Sequence, residues 1–173
     1  MRNHTEPDGD EARFREVFAH LGAVTAYARR RGSGDADSLA AEVMTIAWRR
    51  LSDVPRDDAR PWLYATARNL LLAERRQASR TAMTAEPSRE EELGPSELDP
   101  ALADALRSLS PVDREALLLI AWEELTPSEV ARALGINPTA FRVRLLRARR
   151  RLRANLDEPR LAPHLTHLDV EGT

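Results

Sequence analysis

Cysteine and lysine are both missing from the 173 residues. Without cysteine there are no disulfides, no thiolate metal ligands and no cysteine nucleophile. Without lysine, all 26 basic side chains are arginine, and they face 28 acids for a net charge of −2. Aromatic residues are few, 5% of the chain, and no apolar run approaches the roughly 18 residues of a membrane span. The opening MRNHTEPDGDE has no apolar segment of the kind a secretion signal carries, so a soluble, cytoplasmic chain is expected. A glycine-rich phosphate loop and a nucleophile elbow are also absent. His164 and His167 follow Pro159 and Pro163 with no third ligand beside them, and read as an ordinary tail. No catalytic residue, metal, cofactor or small-molecule substrate is therefore expected.

What the chain does have is charge sorted along its length. Residues 138–153 carry seven arginines and no acid, whereas residues 81–100 carry six acids, one arginine, three prolines and a glycine. The second stretch has no apolar periodicity and reads as a flexible acidic linker. The expected organisation is all-α: a disordered N-terminus (1–10), a helical module (11–80), the linker (81–100), a second helical module (101–156) and a tail (157–173).

In the first module, Phe14, Val17, Phe18, Leu21 and Val24 recur at helical spacing and predict one helix ending near Arg29, Arg30, Arg31 and Gly32. Leu39, Val43 and Ile46, with Met44, Ala47, Trp48 and Leu51 beside them, predict a second helix. Leu63, Ala67, Leu70 and Leu71 predict a third, opened by Pro61. Trp48 and Trp62 are expected in the core. Acids gather near the second helix (Asp35, Asp37, Glu42) and arginines on the third (Arg68, Arg75, Arg76, Arg80).

The second module opens with a short helix striped by Leu102, Ala105, Leu106 and Leu109. Ser110–Pro111–Asp113 then forms a variant capping box before an almost wholly apolar run. Thr126, Pro127 and Glu129 start a third helix that stops at Gly135, and Asn137–Pro138 starts the last. Helix, glycine turn and helix at this spacing is helix-turn-helix geometry. Phe141, Leu145, Ala148 and Leu152 fall on the packed face of the final helix. Arg142, Val143, Leu146, Arg147 and Arg150 therefore point outward as a surface able to enter a major groove, flanked by Arg144, Arg149, Arg151 and Arg153 toward phosphates.

The segments DADSLAAEVMTIAWRRL and ARPWLYATARNLLLAERRQASR resemble region two of bacterial extracytoplasmic-function (ECF) sigma factors, in the sigma-70 superfamily. LSPVDREALLLIAWEELTPSEVARALGINPTAFRVRLLRARRRL is similar to their region four. The resemblance spans residues 11–156 and implies a transcription initiation factor that brings core RNA polymerase to promoter DNA. It implies polymerase contacts, on the β′ coiled coil and β flap, with Asp35, Asp37 and Glu42 on the β′-facing helix. It implies recognition of the −10 element by the loop 52–59, which contains Asp57 and Asp58, together with Arg68, Asn69, Arg75 and Arg76. Recognition of the −35 element falls to Thr139, Arg142, Val143, Arg144, Leu146, Arg147 and Arg150. Family members are commonly held by an anti-sigma factor, so such a partner is implied too. Ser38 and Ala41 depart from the acid and glutamine of the family pattern, and Thr139, Ala140 and Phe141 from its small residue, threonine and valine. Two other readings fit the residues: a stand-alone helix-turn-helix regulator, expected to bind duplex alone and as a dimer, and an interaction protein whose modules wrap a helical partner.

Overall fold

The computed structural model describes residues 7–82 and 98–157. Among the described residues the chain is all helix and loop. Helices α1 (Pro7–Phe18), α2 (Leu21–Arg30), α3 (Ala36–Arg49) and α4 (Arg60–Ala82), with a 3₁₀ turn at Leu51–Asp53, form an N-terminal unit. Helices α5 (Pro100–Arg107), α6 (Pro111–Ala121), α7 (Pro127–Leu134) and α8 (Pro138–Asp157) form a C-terminal one. Most of the expected linker and tail, with His164 and His167, lies outside the described residues.

Local chemistry starts and stops the helices as the sequence predicts. Ser110 and Thr126, as expected, and Asp99, inside the stretch read as linker, each accept backbone N–H bonds at an N-cap and are followed by proline. Thr126 and Glu129 complete a reciprocal capping box. The Asn137 side chain accepts from Thr139 N at 2.9 Å to open α8. Gly135 ends α7 in the left-handed conformation, φ 65°, where a side chain would be strained.

The single first helix expected from the apolar stripe is two. Ala19 and His20 turn back on Arg15 and Val17 through 3.2 and 3.1 Å bonds, and the His20 carbonyl then accepts from Val24 N at 3.0 Å to start α2. The stripe survives the break, because Val17 and Val24 remain buried on one core. Helix α1 also begins at Pro7, inside the stretch read as disordered. Trp62 packs against the core as expected. Trp48 does not: it is 47% exposed, set edge-on against Phe14 at 5.0 Å.

One continuous apolar core runs through both units. Val24, Tyr27, Val43 and Leu63 centre its N-terminal part; Leu119, Val130, Phe141 and Ala148 centre its C-terminal part. The units meet where α4 packs on α7, and a polar cluster seals the junction. The Tyr27 hydroxyl donates to Glu115 at 2.8 Å, Arg31 Nη1 to Glu123 at 2.8 Å, and Arg30 Nη2 to Glu123 at 2.5 Å. Arg31 Nε also reaches Glu115 at 3.3 Å, and its guanidinium lies over the Tyr27 ring at 4.0 Å. The side chains of Arg31 and Glu123 are only 6% and 2% exposed, so the centre of this ion-pair network is buried, while Arg30 at its edge is 26% exposed. Burial works against the Arg31 charge, but Glu115 and then Glu123 more than offset it and raise its pKa. Burial, then Glu115, pushes the Tyr27 hydroxyl well above its ordinary value, so it stays a proton donor.

Candidate nucleic-acid interface

Helix α8 is amphipathic by charge. Phe141, Leu145 and Ala148 are buried against α6 and α7, with Leu152 half-buried, and Thr139, Arg142, Val143, Leu146, Arg147 and Arg150 are exposed. At 3.6 residues per turn, Thr139, Val143, Leu146, Arg147 and Arg150 fall within an arc of about 100°. Val143 and Leu146, 48% and 52% exposed, sit among the cations of that arc. Apolar side chains flanked by arginines can meet thymine methyls and guanine edges in a major groove. No acid occurs between Glu129 and Asp157, so nothing carried by α8 itself opposes a phosphate backbone before its last residue.

Arg144 behaves differently from the rest of that group. It is half-buried, and its Nε donates to Asp113 Oδ1 at 2.6 Å, while Arg151 Nη1 lies 3.5 Å from Oδ2 of the same carboxylate. Sequence reasoning reads Asp113 as a capping residue, and its backbone N–H does donate to Ser110 Oγ at 3.2 Å. Its carboxylate turns instead to α8.

In the N-terminal unit, Asn69 and Arg76 are exposed on α4, Arg68 is half-buried, and Arg75 donates to the Arg31 carbonyl at 2.8 Å. The loop before α4 holds Asp58, which accepts from Arg60 N, Nε and Nη2 at 3.0, 3.1 and 3.1 Å. Partial burial works against the Asp58 charge, but these bonds prevail and hold its carboxyl below the usual range. Asp57 is exposed and lies 3.6 Å from Arg132 of α7, and Arg60 lies 3.8 Å from Glu129. In this packing the loop therefore faces the first helix of the helix-turn-helix.

Asp35 caps α3: its carboxylate accepts from Ser38 N at 2.9 Å and Ser38 Oγ at 2.7 Å, and those bonds lower its pKa. Ser38, a departure from the family pattern, thus has a structural use. Asp37 and Glu42 are exposed, and Asp37 sits 4.0 Å from Arg29 in open solvent, a pair worth little. Beside them runs an apolar trench of about 800 Å³ lined by Phe14, Phe18, Leu21, Met44 and Trp48. The sequence stripe hid this trench, because Phe18 and Trp48 fit a core pattern as well as an exposed one.

Two packed helical units, one carrying a helix-turn-helix with an acid-free arginine face and the other an exposed apolar trench, define a helix-turn-helix protein with a second helical module. The sigma-70 region 2 family model matches residues 17–81, and the sigma-70 region 4 model residues 100–152. The ECF RNA polymerase sigma factor SigL of Mycobacterium tuberculosis is 32% identical over 153 residues, covering 80% of this chain and 85% of SigL. Among solved structures, CnrH in complex with the cytosolic domain of CnrY superposes with a TM-score of 0.56 at 26% identity, over 83% of this chain and 87% of CnrH. The Bartonella quintana sigma factor RpoE, solved with the anti-sigma factor NepR, shares the fold: TM-score 0.64, 24% identity, 84% of this chain and 97% of that one. The chain belongs to the ECF RNA polymerase sigma factors. It is a transcription initiation factor that binds core RNA polymerase and directs it to promoters.

Proposed function

We propose that the exposed arc of α8 reads the −35 duplex, that α4 and the loop 52–59 engage the −10 element, and that Asp37 and Glu42 with the adjoining trench dock on core polymerase. The observation that carries this reading is the segregation of faces: an acid-free cationic arc on α8, and acids on α3 together with the exposed Trp48 of α3 and Phe18 of α1. Asp35, engaged as an α3 cap, contributes to the docking face mainly by fixing where that helix begins. A soluble cytoplasmic protein without catalysis of its own fits this role, since phosphodiester chemistry resides in the polymerase. A helical anti-sigma partner would find the same trench, an unpartnered apolar face beside acids.

The promoter sets a distance. Elements centred about 25 base pairs apart lie about 85 Å apart on B-DNA at 3.4 Å per step. Units whose α4 and α7 touch cannot meet both at once. Fifteen residues, 83–97, join the units, a contour of at most about 50 Å at 3.3–3.6 Å each, so parted units come nearer that span than packed ones.

The test is run-off transcription with purified core polymerase on fragmented genomic template. New transcripts sharing upstream −35 and −10 elements are expected only when the protein is present. Duplex binding by the protein alone, with no new transcript, would favour the stand-alone regulator. Arg147→Ala is expected to weaken promoter recognition by about 1–3 kcal/mol, with the loss confined to templates carrying an intact −35 element. Asp37→Ala with Glu42→Ala is expected to slow association with core polymerase, more at low salt than at high, because exposed charges act mainly on encounter. Unchanged association kinetics would remove the docking assignment.

A further inference from the structure

Arg144 and Arg151 lie together beyond the edge of the exposed arc of α8, two turns apart, and both converge on one carboxylate. Asp113 is 4% exposed and belongs to a different helix, so its contacts at 2.6 and 3.5 Å join α6 to α8 across 31 and 38 residues of sequence. A buried carboxylate without a cation is strongly disfavoured, and a charge-assisted bond of this length is directional. Contacts seven residues apart, about 10.5 Å along the axis, add to the apolar packing of Phe141, Leu145 and Ala148 in setting the tilt and rotation of α8, although the Arg144 and Arg151 side chains stay 42% and 64% exposed. Asp113, Arg144 and Arg151 border a hollow with Ile136, Val143 and Arg147, so the pose of the exposed arc depends on where Asp113 holds its neighbours.

We propose that Asp113 is a positioning residue that sets the sequence selectivity of the recognition helix. It aims α8, and it withholds Arg144 and Arg151 from phosphate. Every arginine free to reach the backbone adds affinity for any sequence alike, so neutralising two of them favours discrimination over grip. The proposal rests on the reading of α8 as the −35 helix.

The experiment uses the full-length protein and fluorescence anisotropy on two duplexes, one carrying the −35 element found by run-off mapping and one with that element scrambled, across 50–200 mM KCl. Asp113→Asn keeps the shape and removes the charge. It is expected to bind the scrambled duplex more tightly at low salt and to steepen the log–log salt slope by about 0.9 for each arginine released, up to about 1.8. That slope change makes its affinity gain over the native protein about tenfold larger at 50 than at 200 mM. Preference for the −35 duplex should fall at the same time. A loss of folding would lower binding to both duplexes and flatten the slope, the opposite sign, and a thermal melt identifies it. Arg151→Ala gives an independent arm: Asp113 already holds this arginine, so the slope should not change, and a fall of about 0.9 would place Arg151 on phosphate and overturn the proposal. Unchanged slope and selectivity in Asp113→Asn, with Arg147→Ala still losing selectivity, would also overturn it while leaving the recognition helix in place. If Arg147→Ala loses nothing either, the −35 reading fails and takes the Asp113 role with it.

Discussion

Replacing Arg31 with Ala is expected to part the two helical units without unfolding either one. Arg31 is the hub of the junction: its guanidinium meets Glu115 and Glu123 of the C-terminal unit and covers the Tyr27 ring, with its side chain 6% exposed. Removing one partner of a buried pair typically costs about 3–5 kcal/mol, because the remaining charge is left in a dry site. Here the lower end applies. Arg30 still reaches Glu123 at 2.5 Å, and Tyr27 still donates to Glu115 at 2.8 Å. A loss of about 3 kcal/mol moves the equilibrium between packed and parted units by roughly 100-fold, at 1.4 kcal/mol per decade. The residues that centre each unit, such as Val24 and Val43 or Leu119 and Phe141, lie away from Arg31's partners, so helix content should change little. Small-angle scattering should show a larger radius of gyration, and run-off transcription at subsaturating protein should rise, since less work is needed to reach both promoter elements. Arg31→Ala combined with Glu123→Gln should cost less than the sum of the two single changes, because the second substitution removes a charge that the first has stranded. An unchanged radius with an intact melt would mean that the α4–α7 contact alone holds the units together.

That junction was invisible in the sequence for a physical reason. Helix stripes, caps and the glycine turn are local signals, carried by residues three to eight apart. They placed α3 through α8 and the packed face of α8, including Phe141, Leu145 and Ala148. The arginine run at 29–31 reads locally as a helix C-terminus complementing the dipole, and it does end α2. Nothing local shows that Glu115 and Glu123 will arrive 84 and 92 residues later to bury Arg31. Asp113 was half-legible in the same way. Its capping bond to Ser110 is local, while its reach to Arg144 depends on how α8 crosses α6. The break at Ala19–His20 escaped because the apolar spacing continues through it. Trp48 escaped because a tryptophan at a stripe edge satisfies the core pattern whether or not a neighbour covers it. The cationic side of α8 was legible because seven arginines without an acid are hard to place on a packed face, but the turn of Arg144 and Arg151 toward Asp113 was not.

Phe141→Ala should abolish −35-dependent transcription by a different route from Arg147→Ala. Phe141 is fully buried near the start of α8, on the packed face two residues after Thr139, at a position where the family pattern has valine. Truncating a buried phenylalanine to alanine typically costs about 3–5 kcal/mol, from lost transfer energy and from the cavity left behind. A small unit such as α5–α8, at about 0.05–0.15 kcal/mol per residue, holds only single-digit kcal/mol in total. Most of its stability would therefore go. The N-terminal helices pack around Val24, Tyr27, Val43 and Leu63, away from Phe141. They should outlast the C-terminal ones even though the two share one continuous core, which predicts a broadened thermal transition with early amide exchange strongest in α6–α8. Association with core polymerase through α3 should survive while promoter selectivity is lost. Phe141→Val removes fewer buried atoms and should fall between Ala and the native residue in both melting and selectivity. If Phe141→Ala instead lowered core association as much as promoter recognition, α5–α8 would have to contribute to docking. The assignment of docking to α3 and its trench would then need to extend across the junction.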